Sequence, residues 1–348
     1  MLPPPRVPPP GDAAIRSTDN DAALARLSTV KLGYFNDPYI KYFVPRASFQ
    51  PARPPLINVG TYVRSAAVDI LINQWLSISA QAGQKCQIVS LGSGSDTRFW
   101  RIAARRIPSE SLQTYIEMDF PEITTKKAMV IRKSKELSDG LGDPEQVSVA
   151  QGGTALHSSK YHLLPTDLRL PASQTLEPTL GQSSLLDPSL PTLLLFECVL
   201  AYMSPSASSQ LIRWFVDFSA KSEQGVLGCL IYEMFGLNDA FGRVMINNLR
   251  ERNIQLPGVE PFTTIDTVQR RFMDIGFSGA RALTLKDIRR DYISEEELAR
   301  ISKLEFLDEI EELDLVLSHY AVSWGLYLTN PSLATVWGSW GLIRREEE

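Results

Sequence analysis

The chain has 348 residues, a hydrophobic fraction of 44%, an aromatic fraction of 9% and a formal net charge of −5. That supplies a sizeable core for one large or two modest domains, and the mild acidity argues against general nucleic-acid binding, which wants a basic face. Three scattered cysteines (Cys86, Cys198, Cys229) and three histidines (His157, His162, His319) form no disulfide framework or metal-ligand spacing, so no metal is expected and a reducing, cytoplasmic compartment is.

The first ten residues, MLPPPRVPPP, hold six prolines and no apolar h-region, so they do not read as a secretory signal. Proline locks φ and removes amide donors, which predicts an extended, disordered tail over 1–16, followed by a single domain over 17–348. Asp19–Lys31 is expected to be helical, with Thr18 or Asp19 as its N-cap. An aromatic stretch with a turn at Asp37-Pro38 and a Pro-rich link lead to a long helix over Gly60–Ser79. From Cys86 short apolar runs alternate with helical stretches, the rhythm of a mainly parallel α/β sheet. Strands are expected at Gln87–Leu91, Thr114–Met118, Tyr161–Pro165, Thr192–Phe196 and Val226–Glu233, with helices such as Thr97–Arg106, Ile123–Ser134 and Pro205–Lys221 between them. The polar segments 138–159 and 171–191 read as surface loops. Helices follow over Leu237–Asn253, Thr264–Ile275 and Ser294–Leu317, the last with Ser294 and Glu297 spaced like a capping box. His319–Leu328 reads as a late antiparallel strand. The longest apolar run, Leu193–Met203, is broken by Glu197, so no membrane span is expected. There is no internal repeat.

Four positions at the ends of successive expected strands carry the chemistry. Gly92 opens the turn LGSGSDTR between a strand and a helix; glycine lets a ligand approach the backbone, although an ordinary tight turn gives the same pattern. Position 97 is Thr, so the pyrophosphate fingerprint G-x-G-x-x-G is not met. Asp119 ends the next strand, 27 residues after Gly92, near the offset of a ribose-binding acid, and equally suits a helix cap. Asp167 and Leu168 follow the third strand; they fit an adenine site or a plain turn. Glu197 ends an apolar strand, where burial is costly unless the residue faces a ligand crevice, and Tyr202 follows it.

Together these segments resemble the leucine carboxyl methyltransferase family, whose members methylate the C-terminal leucine of the protein phosphatase 2A catalytic subunit. The resemblance runs through GYFNDPYIKYF (33–43), NVGTYVRSAAV (58–68), CQIVSLGSGSDTRFWRI (86–102), EMDFPEITTKKA (117–128), LPTLLLFECVLAYMSP (190–205), FGRVMINNLRERNIQLPGVE (241–260) and SKLEFLDEIEEL (302–313). It implies a Rossmann-like class I methyltransferase sheet, with helical lid elements from 17–80 and 237–260, and S-adenosyl-L-methionine as cofactor. The implied roles place Gly92 under the methionine part, Asp119 at the ribose, Asp167 and Leu168 at the adenine and Glu197 beside the amino group. Arg64, which alone reads as a solvated helix arginine, would contact a carboxylate in the pocket, and Tyr202 would line it. The implied partner is the phosphatase catalytic tail, met by a monomer without nucleic acid or membrane.

A terminal carboxylate is ionised at neutral pH and needs no general base, in keeping with a site poor in histidine. Other readings stay open. A related branch modifies a tRNA nucleoside, usually with C-terminal kelch repeats that this chain lacks, and a small-molecule carboxylate is a further substrate class. A nicotinamide oxidoreductase would want the third glycine and a Tyr-x-x-x-Lys pair. A non-catalytic binding protein would keep the sheet without transfer.

Overall fold

Continuous apolar runs form strands that are buried on both faces when helices cover the sheet. The computed structural model describes residues 10–105 and 109–345 and arranges nine strands: β1 (Cys86–Leu91), β2 (Leu112–Asp119), β3 (Ser148–Ala150), β4 (Ala155–His157), β5 (Tyr161–Pro165), β6 (Thr192–Glu197), β7 (Val226–Met234), β8 (Gly279–Thr284) and β9 (Tyr320–Leu328). Their order is β3-β4-β5-β2-β1-β6-β7-β9-β8. The five central strands, β5 to β7, run parallel. The flanking pairs run antiparallel. Every residue of β1 and β7 is buried. Strand order reverses beside β1, which creates a crevice at the carboxyl ends of the strands.

Alternating side chains feed two cores. Ile88, Tyr115 and Leu193 pack with the helix Pro55–Gln81 on one face. Val89, Ile116 and Leu194 pack with the helices Pro205–Ser219 and Ile265–Ile275 on the other. Trp75 anchors the first face, its ring 4.3 Å from that of Trp337 and 5.0 Å from that of Trp340.

The five parallel strands and the late antiparallel strand lie where the periodicity puts them, within two residues at each end. The differences have physical causes. Residues 1–9 of the expected tail lie outside the described residues, but the first helix already begins at Pro10 and runs to Lys31. Proline is tolerated in a first helical turn, and Asp12 there meets Arg169, 157 residues away. Thr18 and Asp19 are therefore inside the helix rather than at its cap, and Asp19 accepts from the Ser95 amide instead, at 2.7 Å. The expected loop 138–159 contributes β3 and β4 to the sheet edge, and β8 was unforeseen. β3 and β4 have only three residues each, too few for a periodicity to show, and β8 is an edge strand that is mostly half-exposed or exposed. The expected helix Ser294–Leu317 is two helices, Glu295–Ile301 and Ile310–Ser318. Between them Glu305 is drawn to the Tyr34 hydroxyl and the Asn58 amide, both at 2.9 Å. Ser294 caps its helix, but Glu297 does not complete the box, because Tyr62 and Arg300 take its carboxylate. Arg106, the last residue of the expected helix Thr97–Arg106, lies outside the described residues. Among the described residues, no helix is long and apolar enough to cross a membrane.

Candidate active site

Register brings the strand ends to one level. Leu91 of β1 pairs with Met118 of β2 and with Phe196 of β6. Asp119 pairs with Pro165, and Glu197 with Tyr232. The residues just beyond these pairs, Gly92, Thr166-Asp167 and Cys198, leave the sheet side by side.

At the β1 turn, Gly92 has φ +68°, and a Cβ there would stand 2.5 Å from Val199 Cγ2. Both facts demand glycine. Its amide donates to the Met118 carbonyl at 2.7 Å, stitching the turn to β2. Asp119 accepts from the Gly94 and Phe120 amides, each at 2.7 Å. The residue is nearly buried, and burial pushes its carboxyl up to about 6 against the opposing pull of those amides. Asp119 does not cap the following helix; that N-cap is Phe120. Asp167 is held by its near neighbour Arg169, whose Nε and Nη2 donate to its two oxygens at 2.9 and 2.7 Å.

Glu197 lies between two guanidiniums. Arg64 Nε, from the helix Pro55–Gln81, donates to one oxygen at 2.6 Å, and Arg98 Nη1 donates to the other. Burial would raise this carboxyl, but the two arginines hold it below the usual carboxylate range. The Arg64 guanidinium also lies over the Tyr232 ring, 4.4 Å from its centroid. Arg98 in turn pairs with Asp96 at 2.9 Å and Asp69 at 3.0 Å, and Arg101 with Asp69 at 2.6 Å. Arg26 joins the network through buried Asp37, at 2.6 Å. One nitrogen of Arg26, Nη2, is buried without a hydrogen-bond partner. Burial pushes the Tyr202 phenol up, so it is a neutral donor at physiological pH.

All seven residues singled out from the sequence, Arg64, Gly92, Asp119, Asp167, Leu168, Glu197 and Tyr202, line one cavity of about 370 Å³, within the range of small-ligand sites. Sequence reasoning missed Arg26 and Arg98. Arg98 was within sight, since it follows the glycine turn directly, and the Asp96-Thr97-Arg98 spacing lets an acid and a base meet in one turn. Arg26 and Asp19 carried no local signal. They reach the cavity only because the first helix crosses it, with the helix Ala240–Glu251 contributing Met245 and Leu249 nearby. Cys198, also lining the cavity, holds a left-handed backbone at φ 54°, a costly conformation for a non-glycine residue that active sites retain more often than other regions. Among the described residues, no group of three His, Cys, Asp or Glu side chains could hold a metal.

Residues 14–216 match the model of the leucine carboxyl methyltransferase family. A leucine carboxyl methyltransferase 1 of Cryptococcus neoformans is 44% identical, over 93% of this chain and 97% of its own. Another from Aspergillus fumigatus is 39% identical, over 94% and 86%. A homolog from Arabidopsis thaliana is 35% identical, over 95% and 93%. The chain belongs to the leucine carboxyl methyltransferase family. As a family member it is an S-adenosylmethionine-dependent carboxyl methyltransferase, on the doubly wound sheet described above. For this methyltransferase the cavity offers a fitting set of groups: arginines for a carboxylate, acids for an amine and for hydroxyls, and a glycine turn along its wall.

Proposed function

We propose that this methyltransferase esterifies the C-terminal leucine carboxylate of a protein, namely the protein phosphatase 2A catalytic subunit, and acts as a cytoplasmic monomer. The carrying observation is that Arg64 and the four strand-end sites border one cavity, with Arg64 already paired to Glu197. When bound, S-adenosylmethionine supplies an electrophilic methyl group on a sulfonium. Asp119 would accept hydrogen bonds from the ribose hydroxyls, and Asp167 with Leu168 would hold the adenine. Gly92 would lie beneath the methionine part with Glu197 beside its amino group, and Arg26, which also lines the cavity, would meet its carboxylate.

Arg64 spends Nε on Glu197 and presents its remaining donors to the substrate carboxylate. Paired hydrogen bonds of this kind fix a carboxylate in space. Glu197 moderates the arginine's charge, so the carboxylate is oriented without losing its nucleophilicity. No base is needed, because a chain-terminal carboxylate is ionised well below neutral pH. Tyr202 lines the same space as a neutral donor. The first helix and the helix Ala240–Glu251 form the lid, whereas the helix Pro55–Gln81, expected to share it, packs on a face of the sheet; excluding water beneath the lid removes the hydration that blunts an anionic nucleophile. Proximity and alignment supply the rest of the acceleration.

The test is incubation with radiolabelled S-adenosylmethionine and the phosphatase catalytic subunit, with and without its terminal leucine. Base-labile label that requires the leucine is the expected result. Label appearing in tRNA or in a small carboxylate, with none on the phosphatase, refutes the assignment.

A further inference from the structure

The floor of the cavity and the first helix meet at an ion cluster that the chemistry above leaves unused. Arg169 sits two residues after Asp167. Its Nε and Nη2 hold the Asp167 carboxylate, while Nη1 and Nη2 reach Asp12 at 2.5 and 3.0 Å. One planar guanidinium thus grips two carboxylates side by side, as its fixed fork of five donors permits. Its plane lies over the Phe120 ring, 5.0 Å from the centroid, and Arg16 approaches the same ring from the helix, at 5.6 Å. A carboxylate in a first helical turn is favoured by the helix dipole alone. That accounts for Asp12 as a helix residue, but not for a bidentate contact 157 residues away in sequence.

The second attachment of the helix has the same character. Asp19, two turns along, accepts from both the amide and the hydroxyl of Ser95, at 2.7 and 3.0 Å, beside the turn that holds Asp119. The two ends of the cofactor-binding floor, the Asp167 loop and the glycine turn, are each tied to this one helix by an aspartate. The same helix puts Arg16, Asp19 and Arg26 into the cavity wall.

We propose that Arg169 is a positioning residue that couples cofactor binding to docking of the first helix. It sets the Asp167 carboxylate for the adenine and, through Asp12, fastens the helix above it, so bound cofactor and docked helix stabilise each other. This rests on the assignment of the cavity to S-adenosylmethionine. Coupling of this kind is reciprocal: whatever the helix contact adds to cofactor affinity, the cofactor adds to helix docking.

The experiment compares the full chain with the variants Asp12→Asn and Asp12→Glu. It measures S-adenosylhomocysteine affinity by calorimetry, steady-state KM and kcat, and trypsin cleavage at Arg16, Arg26 and Lys31. Asp12→Asn is expected to weaken S-adenosylhomocysteine about tenfold and to raise KM for the methyl donor alike, with kcat changed less than twofold; Asp12→Glu recovers most of the loss. S-adenosylhomocysteine is expected to protect the helix from trypsin in the parent protein and not in Asp12→Asn. Affinity and protection in Asp12→Asn equal to the parent overturn the coupling, as does a fall confined to kcat. Failure of the parent protein itself to bind S-adenosylhomocysteine overturns the cofactor assignment instead, so the two failures are told apart.

Discussion

The floor and the roof of the cavity are built on different physics. The floor consists of strand ends, levelled by a parallel register among wholly buried residues. The roof is a helix whose Ala23 and Leu27 are buried, but whose grip on the floor runs through Asp12 and Asp19. Apolar burial does not depend on charge, whereas partly exposed ion pairs are screened by salt. The comparison teaches that such an enzyme can keep a rigid platform for its cofactor while leaving the cover adjustable.

The sharpest way to break this picture is at Arg64, which joins the floor through Glu197. Arg64→Ala is expected to lower methyl transfer by about a thousandfold, with S-adenosylhomocysteine binding retained within about tenfold and a cooperative thermal transition preserved. Transfer near the parent rate in a purified sample would remove Arg64 from the mechanism. Next comes the turn of β1. Gly92→Ala must force a side chain into positive φ and into Val199, so cofactor affinity should fall by about a hundredfold, together with a stability loss of about 1–3 kcal/mol. Chemical denaturation and calorimetry read the two separately, and parental values in both would show that the turn can yield.

The pH response probes the floor more gently. Burial holds Asp119 near 6, above its unfolded range, so the ionised acceptor costs folding stability as pH rises toward 6 and is complete only above it. Cofactor affinity should be flat above about pH 7 and should decline by up to about tenfold per unit below 6. Asp119→Asn should be weaker at neutral pH and largely lack that slope; a parental slope in the variant would assign the titration elsewhere. For the roof, Asp19→Ala should raise KM for the cofactor about threefold to tenfold, consistent with one or two lost charge-assisted hydrogen bonds. In the parent protein, that KM should rise with added salt. The smallest effect belongs to Asp21, whose pair with Arg252 leaves both side chains about half exposed. Asp21→Ala should shift stability by less than about 0.5 kcal/mol, and a larger shift by denaturation would mean the exposed contact is part of the latch.

How far the residues could be read in advance follows the same division. Gly92, Asp119, Asp167 and Glu197 each sit at the end of an apolar strand, a local pattern that periodicity exposes. Arg64 and Tyr202 were legible only through resemblance, because an arginine on a helix looks the same in solvent as in a pocket. Arg98 lay in view beside the glycine turn, yet its ion pair to Glu197 spans 99 residues. Asp12 falls in the expected extended tail over 1–16, where the helix from Pro10 corrects the reading for residues 10–16, while Asp19 and Arg26 lie on the expected helix with nothing local to show that they face the cavity.

The sequence by itself determined the alternation of strands and helices, since burial on a sheet or helix face imposes its period on neighbouring residues. It also determined which strand ends carry acids and glycines. Only the tertiary structure decided that these ends share one level and one cavity, and that a proline-led helix lies across them. Register, edge strands and long-range ion pairs depend on contacts between residues far apart in the chain, and no local pattern encodes such a meeting.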